Sequence, residues 1–257
     1  MDILRKELNG IYESQHLADE QLPRNEVNRC REVAHGVMTA TDGCTVITDA
    51  SCDRSYLYIG NLGRLLGVTT GNNESITLNS SDEDLIYNRI HPEDLVDKRM
   101  LEYEFFRFID RPGNRENLHY RATCRLRMKN RMGEYVTVDN STQLIAPSPA
   151  GKMWLILCCY VLSPDQSRQD GIAPHIINNH SGEIISVSFD RRREAILSKR
   201  EKEILNLIKE GKPSKHIANT LNISIHTVNR HRQNILSKLS VGNSHEAVMA
   251  AEAMKLL

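Results

Sequence analysis

Ser224-Ile225-His226-Thr227-Val228-Asn229-Arg230-His231-Arg232-Gln233-Asn234-Ile235-Leu236-Ser237-Lys238-Leu239 is a run of sixteen residues without one acidic side chain. Stepped at 100° per residue, Val228, Ile235 and Leu239 fall within about 20° of one line, the stripe that a helix buries. His226, Asn229, Arg230, Gln233 and Ser237 lie between about 100° and 200° from that line, on the outer face. All five are polar and suited to base edges or phosphates. A helix that faces phosphates has to exclude carboxylates, which the backbone would repel. Solvated helices usually mix Glu with Lys, so the missing acids argue for a nucleic-acid face. His231 lies about 60° off the buried stripe, a structural position.

The residues before this run set up a second helix at a fixed spacing. Ser198-Lys199-Arg200-Glu201 fits a capping box, with Ser198 as N-cap and Glu201 reaching back. Ile204, Leu205, Leu207 and Ile208 give the helix that follows its apolar face, and Gly211 ends it. A short helix carrying Ile217, Ala218 and Leu221 comes next. Asn222-Ile223 then makes a tight turn, because Asn tolerates the left-handed conformation. Ser224 caps the acid-free helix, and a last helix runs from Asn243 or Ser244 to about Lys255. Two short helices joined by a turn of three to four residues are a helix-turn-helix unit.

Charge separates this region from the rest. Lys plus Arg and Asp plus Glu each number 33 over 257 residues. From Arg191 to Leu257 there are 13 basic and 6 acidic residues, a net of +7; residues 1–190 carry 20 against 27, a net of −7. Such asymmetry points to a nucleic-acid partner for the basic part. Apolar residues at 40% and charged residues at 26% exclude a disordered or collagen-like chain.

Residues 197–251 resemble the LuxR/NarL/FixJ-type DNA-binding domain. The matching pieces are Leu197-Ser198, Arg200-Glu201, Glu203-Ile204-Leu205, Gly211, Ile217-Ala218, Leu221, Ile223-Ser224, Thr227-Val228, His231-Arg232, Asn234-Ile235, Lys238-Leu239 and Glu246-Ala247-Val248. The resemblance implies an all-α four-helix domain that sets its third helix in the major groove of double-stranded DNA and can dimerise through its fourth. It assigns base-facing roles to Asn229, Arg230 and Gln233, and phosphate contacts to Ser214, Lys215, Thr227 and Lys238. Two positions depart from the pattern. Asn229 stands where the family often has Lys, and Asn suits adenine. Pro213 replaces the Ser or Thr that commonly caps the second helix; proline fits a first turn but has no capping side chain.

Upstream the texture is mixed. Leu4, Leu8, Ile11, Tyr12 and Leu17 predict an N-terminal helix within 1–29, ending near Pro23. Cys44–Thr48 and Tyr56–Ile59 read as strands, and Asn61–Gly67 as a short helical piece. Ser81-Asp82-Glu83-Asp84 reads as an acidic helix start, with helical texture interrupted at Pro92 and running to about Asp110. In Tyr120–Lys129, Tyr120, Ala122, Cys124, Leu126 and Met128 alternate with Arg121, Thr123, Arg125, Arg127 and Lys129, a strand with one buried face. Asn130–Gly133 makes a hairpin turn, and Glu134–Ile145 and Met153–Leu162 are the next strands. Residues 166–195 read as a linker holding a small hairpin, 175–179 with 183–187.

Within 30–165, Ile90-His91-Pro92-Glu93-Asp94-Leu95, Asn61 with Leu65-Leu66-Gly67-Val68, and Tyr120-Arg121 through Met132-Gly133-Glu134-Tyr135-Val136 resemble a PAS domain. The fold class expected is therefore α+β: a PAS-like five-stranded antiparallel sheet with flanking helices, followed at 196–257 by the four-helix LuxR-type domain. A flavin-type PAS would carry a reactive Cys in its helical motif, and none lies between Asp53 and Lys98. Haem, with His91 or His119 on iron, stays open. No cofactor is assigned; a small ligand of unknown identity in the PAS-like pocket also stays open.

The function expected is a sequence-specific DNA-binding transcriptional regulator whose PAS-like domain senses a signal or dimerises. The alternative is an output partner in a larger signalling complex. A homodimer is expected, and RNA polymerase is a further partner that the resemblance allows. No nucleophile–base motif, phosphate-binding glycine loop or metal cluster supports an enzyme or a metal site. The six cysteines lack Cys-x-x-Cys spacing and read as buried structural thiols. The longest apolar run, Met153–Leu162, is half a membrane span, and Met1–Lys6 lacks a signal-peptide pattern, so cytoplasm is expected.

Overall fold

The computed structural model describes residues 2–69, 75–81, 83–111, 117–167, 170–239 and 241–257. Asp82 of the acidic helix start lies outside them. The chain divides into two compact units. One is Leu8–Val187; the other is Ser188–Leu257 together with the start of the chain up to Glu7. Among the described residues no helix is long and apolar enough to cross a membrane.

The larger unit is built on one antiparallel sheet. Its strands are β1 (Cys44–Asp49), β2 (Arg54–Ile59), β3 (Ser75–Leu78), β4 (Tyr120–Lys129), β5 (Tyr135–Pro147), β6 (Met153–Leu162), β7 (His175–Asn178) and β8 (Ile184–Ser186). They lie in the order β3-β2-β1-β6-β5-β4-β7-β8. The expectation of five strands is corrected to eight. The five inner strands and the small hairpin, now β7 and β8, are the strands read from the sequence; β3 was not read. The three additions, β3, β7 and β8, are only three or four residues long and extend the two edges.

The reason for the extension is visible at β4. A bare edge strand offers unpaired N–H and C=O groups to any passing chain. Here β7 pairs with Tyr120–Thr123, Arg125 N donates to Ile172 O at 2.8 Å, and Lys129 N donates to Arg89 O at 2.6 Å. The hairpin expected inside the linker, 175–179 with 183–187, forms as β7 and β8, but it is part of the sheet rather than a separate connection. The expected linker also contains a helix, α6 (Asp190–Ile196).

The turn between β4 and β5 closes around Asn130, whose Oδ1 accepts from Met132 N and Glu134 N. Gly133 completes it at φ +91°, a backbone angle that side chains disfavour. Between β5 and β6 the register shifts at Leu144–Pro147, where proline removes a ladder donor.

The helices of this unit are α1 (Asp2–Ser14), whose later turns belong here, α2 (Arg24–Thr41), α3 (Asn61–Leu65), α4 (Asp84–Tyr87) and α5 (Pro92–Ile109). The sequence reading ended its N-terminal helix near Pro23 and passed over α2. Its apolar stripe is Cys30, Ala34 and Met38, small or flexible residues that give a weak periodic signal. Those three pack with Ile47, Tyr58, Leu155 and Leu157 on one face of the sheet. The opposite face, carrying Cys124, Cys158 and Tyr160, is closed by α5.

His91 caps α5, its ring nitrogen accepting from Glu93 N at 3.4 Å, and Pro92 fills the first turn. Asp94, fully buried, accepts from Arg127 N at 2.8 Å and from its guanidinium, which ties α5 to β4. Of the six thiols, Cys30, Cys44, Cys124 and Cys158 are buried as expected, Cys159 is half-buried and Cys52 is exposed.

The space between α5 and the sheet is filled by side chains. Lys98 and Glu102 form a buried ion pair beneath Tyr87, whose hydroxyl donates to Glu102 Oε1 at 3.1 Å. Tyr160 donates to the buried Glu83 carboxylate. The chamber beside them measures about 20 Å³, room for about one water. Burial pushes the Glu83 carboxyl above its ordinary value. Burial works against the Lys98 charge too, but Glu102 outweighs it and the ammonium is held charged.

Candidate nucleic-acid interface

The basic unit contains α7 (Lys199–Lys209), α8 (Ser214–Leu221), α9 (Ile225–Leu239) and α10 (Ser244–Ala253). Each boundary has a local cause. Ser198 Oγ accepts from Glu201 N at 3.3 Å, and Ser198 N donates to Glu201 Oε2 at 2.8 Å, closing the capping box. Gly211 at φ +77° ends α7, with Lys212 N returning to Leu207 O. Asn222 at φ 51° and ψ 46° ends α8. Ser224 Oγ accepts from Thr227 N at 3.0 Å and starts α9. Asn243 caps α10 through Glu246 N at 3.0 Å. Pro213 precedes α8 and offers no side-chain cap.

In α9, Val228, Ile235 and Leu239 are 1% exposed or less. Ile204, Leu205, Ile217, Ala247 and Ala251 on the helices that pack against α9 are likewise within a few per cent of full burial. His226, Asn229, Arg230, Gln233 and Ser237 are all exposed. Asn229, Arg230 and Gln233 therefore share one outward face, a turn apart, on a helix fixed at its start by Ser224 and along its length by the core. Such a surface can read base edges, since Asn and Gln pair with adenine and Arg with guanine.

The four other sequence candidates are placed differently. Lys215 is exposed at the start of α8, and Ser214 beside it is half-buried. Ser214 Oγ accepts from Arg232 Nη1 at 3.0 Å, which leaves its own proton to donate. Thr227 Oγ1 lies 2.8 Å from Ser224 Oγ in the first turn of α9. Lys238 is at the far end of α9, and its ammonium donates to Glu201 Oε2 at 2.6 Å. Burial works to raise the Glu201 carboxyl, but Lys238 and the Ser198 donors outweigh it, so it sits below its ordinary value.

Two arginines that the sequence reading passed over hold these helices in place. Arg232 donates to Ser214 Oγ and, at 2.8 Å, to Ser244 Oγ, so one guanidinium bonds the first residues of both α8 and α10. Arg200 donates to Leu221 O at 2.7 Å, satisfying a carbonyl at the end of α8, and to Glu203 Oε2 at 2.7 Å. Both stand in the motif, but only the fold brings their partners within reach. His231 is half-buried, in keeping with a structural position.

The triad His91, Glu93 and Asp94 brings possible metal ligands within 4.8 Å of one another. Its carboxylates already hold the Arg127 guanidinium, with Glu93 Oε2 at 3.0 Å, so a cation occupies that charge.

Residues 195–251 match the model of the luxR family of bacterial regulatory proteins. The chain is 48% identical over 58 residues to the uncharacterized response regulatory protein YgeK of Escherichia coli K12, covering 23% of this chain and 40% of that one. It is 49% identical over 61 residues to the transcriptional regulatory protein LiaR of Bacillus subtilis 168, covering 24% and 29%. It thus spans less than half the length of these relatives. Among solved structures, the phage VqmA–DPO complex overlaps 91% of this chain and 92% of its own at 15% identity, with a TM-score of 0.30, too low to fix a fold. Both relatives are named as regulatory proteins. The C-terminal helices, residues 195–251, form a helix-turn-helix domain of the luxR family of bacterial regulatory proteins.

Proposed function

We propose that this chain is a sequence-specific DNA-binding transcriptional regulator acting as a homodimer in the cytoplasm. The observation that carries the reading is the outer face of α9: five exposed polar side chains, no acid, on a capped helix inside a luxR-family domain. Asn229, Arg230 and Gln233 read bases. Ser214, Lys215, Thr227 and Lys238 hold phosphates, Lys238 through ammonium donors not taken by Glu201. The sheet unit is a PAS-like sensory or dimerising domain. In this reading 1–29 is an N-terminal extension, 30–165 the sensory domain, 166–195 the connection and 196–257 the DNA-binding domain. The order β2-β1-β6-β5-β4 at the centre of the sheet supports it.

Selection of DNA from a random pool by the full-length protein tests this function. An inverted repeat with half-sites about one helical turn apart is the expected product. Asn229→Ala and Arg230→Ala are expected to relax the sequence at defined positions of each half-site. No enrichment by the full chain or by residues 191–257 would refute the reading.

A further inference from the structure

A ligand-sized cavity lies on the outer face of the sheet, on the side that α2 only partly covers. It measures about 420 Å³ and lies over β4, β5 and β6, rimmed by Ala173 and His175. Small-molecule sites run from roughly 300 to 1,000 Å³, with an apolar lining and a few convergent polar groups. Here Cys159 and Val161 supply apolar surface, and Arg121, Thr123 and Ser141 supply donors.

The charge in this cavity is unbalanced at one residue. Arg125 is neutralised, its Nη1 lying 3.0 Å from Asp165 Oδ2 and its Nε 3.6 Å from Asp139 Oδ1. Arg121, four residues earlier on the same face, has no acidic partner among the described residues. Its Nε is buried without a hydrogen-bond acceptor. Its cross-strand neighbours are Gln143 and Ile177, neither of them charged. Leaving a charged donor buried and unmet is costly, and a guanidinium fork matches the two oxygens of a carboxylate or phosphate. His175 Nδ1 is tied to Ala173 O at 2.9 Å, which directs its second nitrogen away from that contact.

We propose that this cavity binds a small molecule with an oxyanion head group, carboxylate or phosphate, on an apolar body. The Arg121 guanidinium takes the head group, and the surface of Cys159 and Val161 takes the body. The site is separate from the filled interior beside Lys98 and does not depend on the DNA-binding reading.

Calorimetric titration of the full chain tests it with four probes: 3-phenylpropionate, phenyl phosphate, neutral 3-phenylpropanol and cationic 3-phenylpropylamine. At least one anion is expected to bind ten times or more tightly than the alcohol and the amine, and the tighter anion identifies the head group. Arg121→Met is expected to remove that tenfold advantage and to leave the alcohol unchanged. Arg121→Lys keeps the charge without the fork and is expected to fall between, which also serves if the Met variant folds poorly. Equal binding of anion and alcohol, no binding, or anion binding unaffected by either variant would overturn the proposal. So would a self-association lost in Arg121→Met with no anion response, which would assign the face to a second copy of the chain.

Discussion

The Lys238 ammonium lies 2.6 Å from Glu201 Oε2, and the two side chains are 41% and 4% exposed. One residue lies in the last turn of α9; the other sits in the first turn of α7 and closes its capping box. The pair therefore links the cap of one helix to the far end of another. Replacing Lys238 by Met leaves the buried carboxylate without its cation. Because the pair is half open to solvent, a loss of about 1–2 kcal/mol is expected, below the figure for a fully buried pair. Thermal melts of Lys238→Met and of Lys238→Met with Glu201→Gln check this, the double variant recovering part of the loss.

The same pair sets an acid dependence. Glu201 is held below its ordinary value in the folded chain, so its contribution is fully present above the unfolded carboxylate pKa of about 4.3. It is lost as pH falls through the lower folded value. Melts of the whole chain from pH 7 to pH 3 are expected to show this loss below about pH 4.5, with a smaller step in Lys238→Met. An identical acid slope in both would remove the pair from the account.

Salt dependence separates the structural role of Lys238 from a role at phosphate. If each DNA-binding domain neutralises about five phosphates, log affinity should fall against log salt with a slope of about −4 to −5 per monomer. Lys238→Met should reduce that slope by about 1 if its remaining donors reach phosphate. An unchanged slope with lowered stability would confine Lys238 to its bond with Glu201.

Arg232 bonds Ser214 and Ser244 at the starts of α8 and α10. Arg232→Ala is expected to cost about 2–3 kcal/mol, because two charged hydrogen bonds are lost together. Ser214→Ala and Ser244→Ala should each cost less, and neither should add its full effect to Arg232→Ala. Additive losses in a double-mutant cycle by denaturant unfolding would show that the serines and the arginine act separately.

Asn222 holds the turn between α8 and α9 in the left-handed region. Asn222→Ala is expected to lose about 1 kcal/mol, and Asn222→Gly to be near neutral, since glycine alone enters this region without penalty. The order Gly above Ala in melting temperature is the readout; the reverse would deny that backbone strain governs the turn.

In the interior of the sheet unit, Lys98 compensates two buried carboxyls, Glu83 and Glu102. Lys98→Met is expected to cost about 3–5 kcal/mol, and Lys98→Met with Glu102→Gln substantially less. Urea unfolding of the two variants decides it.

Much of this molecule is written locally. The ends of α7, α8 and α9 follow from Ser198, Gly211, Asn222 and Ser224, each acting within four residues of itself. The strands Tyr120–Lys129 and Met153–Leu162 begin and end where alternation and apolar content begin and end. The outer face of α9 is likewise a matter of angle along one helix, which is why Asn229, Arg230 and Gln233 were legible before the fold was known.

What escaped the sequence depended on partners far along the chain. The hairpin at β7 and β8 was legible, but that it pairs with the edge of β4, some fifty positions earlier, and so extends the sheet was not. The helix α2 went unread because its stripe of Cys30, Ala34 and Met38, small or flexible residues, gives only a weak periodic signal. Lys238 reads as a phosphate contact in the sequence, and only the fold shows that its ammonium also bonds a carboxylate 37 residues away. Periodicity and capping are short-range, so sequence alone determined which segments are helix or strand and which face of α9 is polar. Edge pairing, ion pairs and cavities such as that at Arg121 join distant segments, and those only the tertiary structure decided.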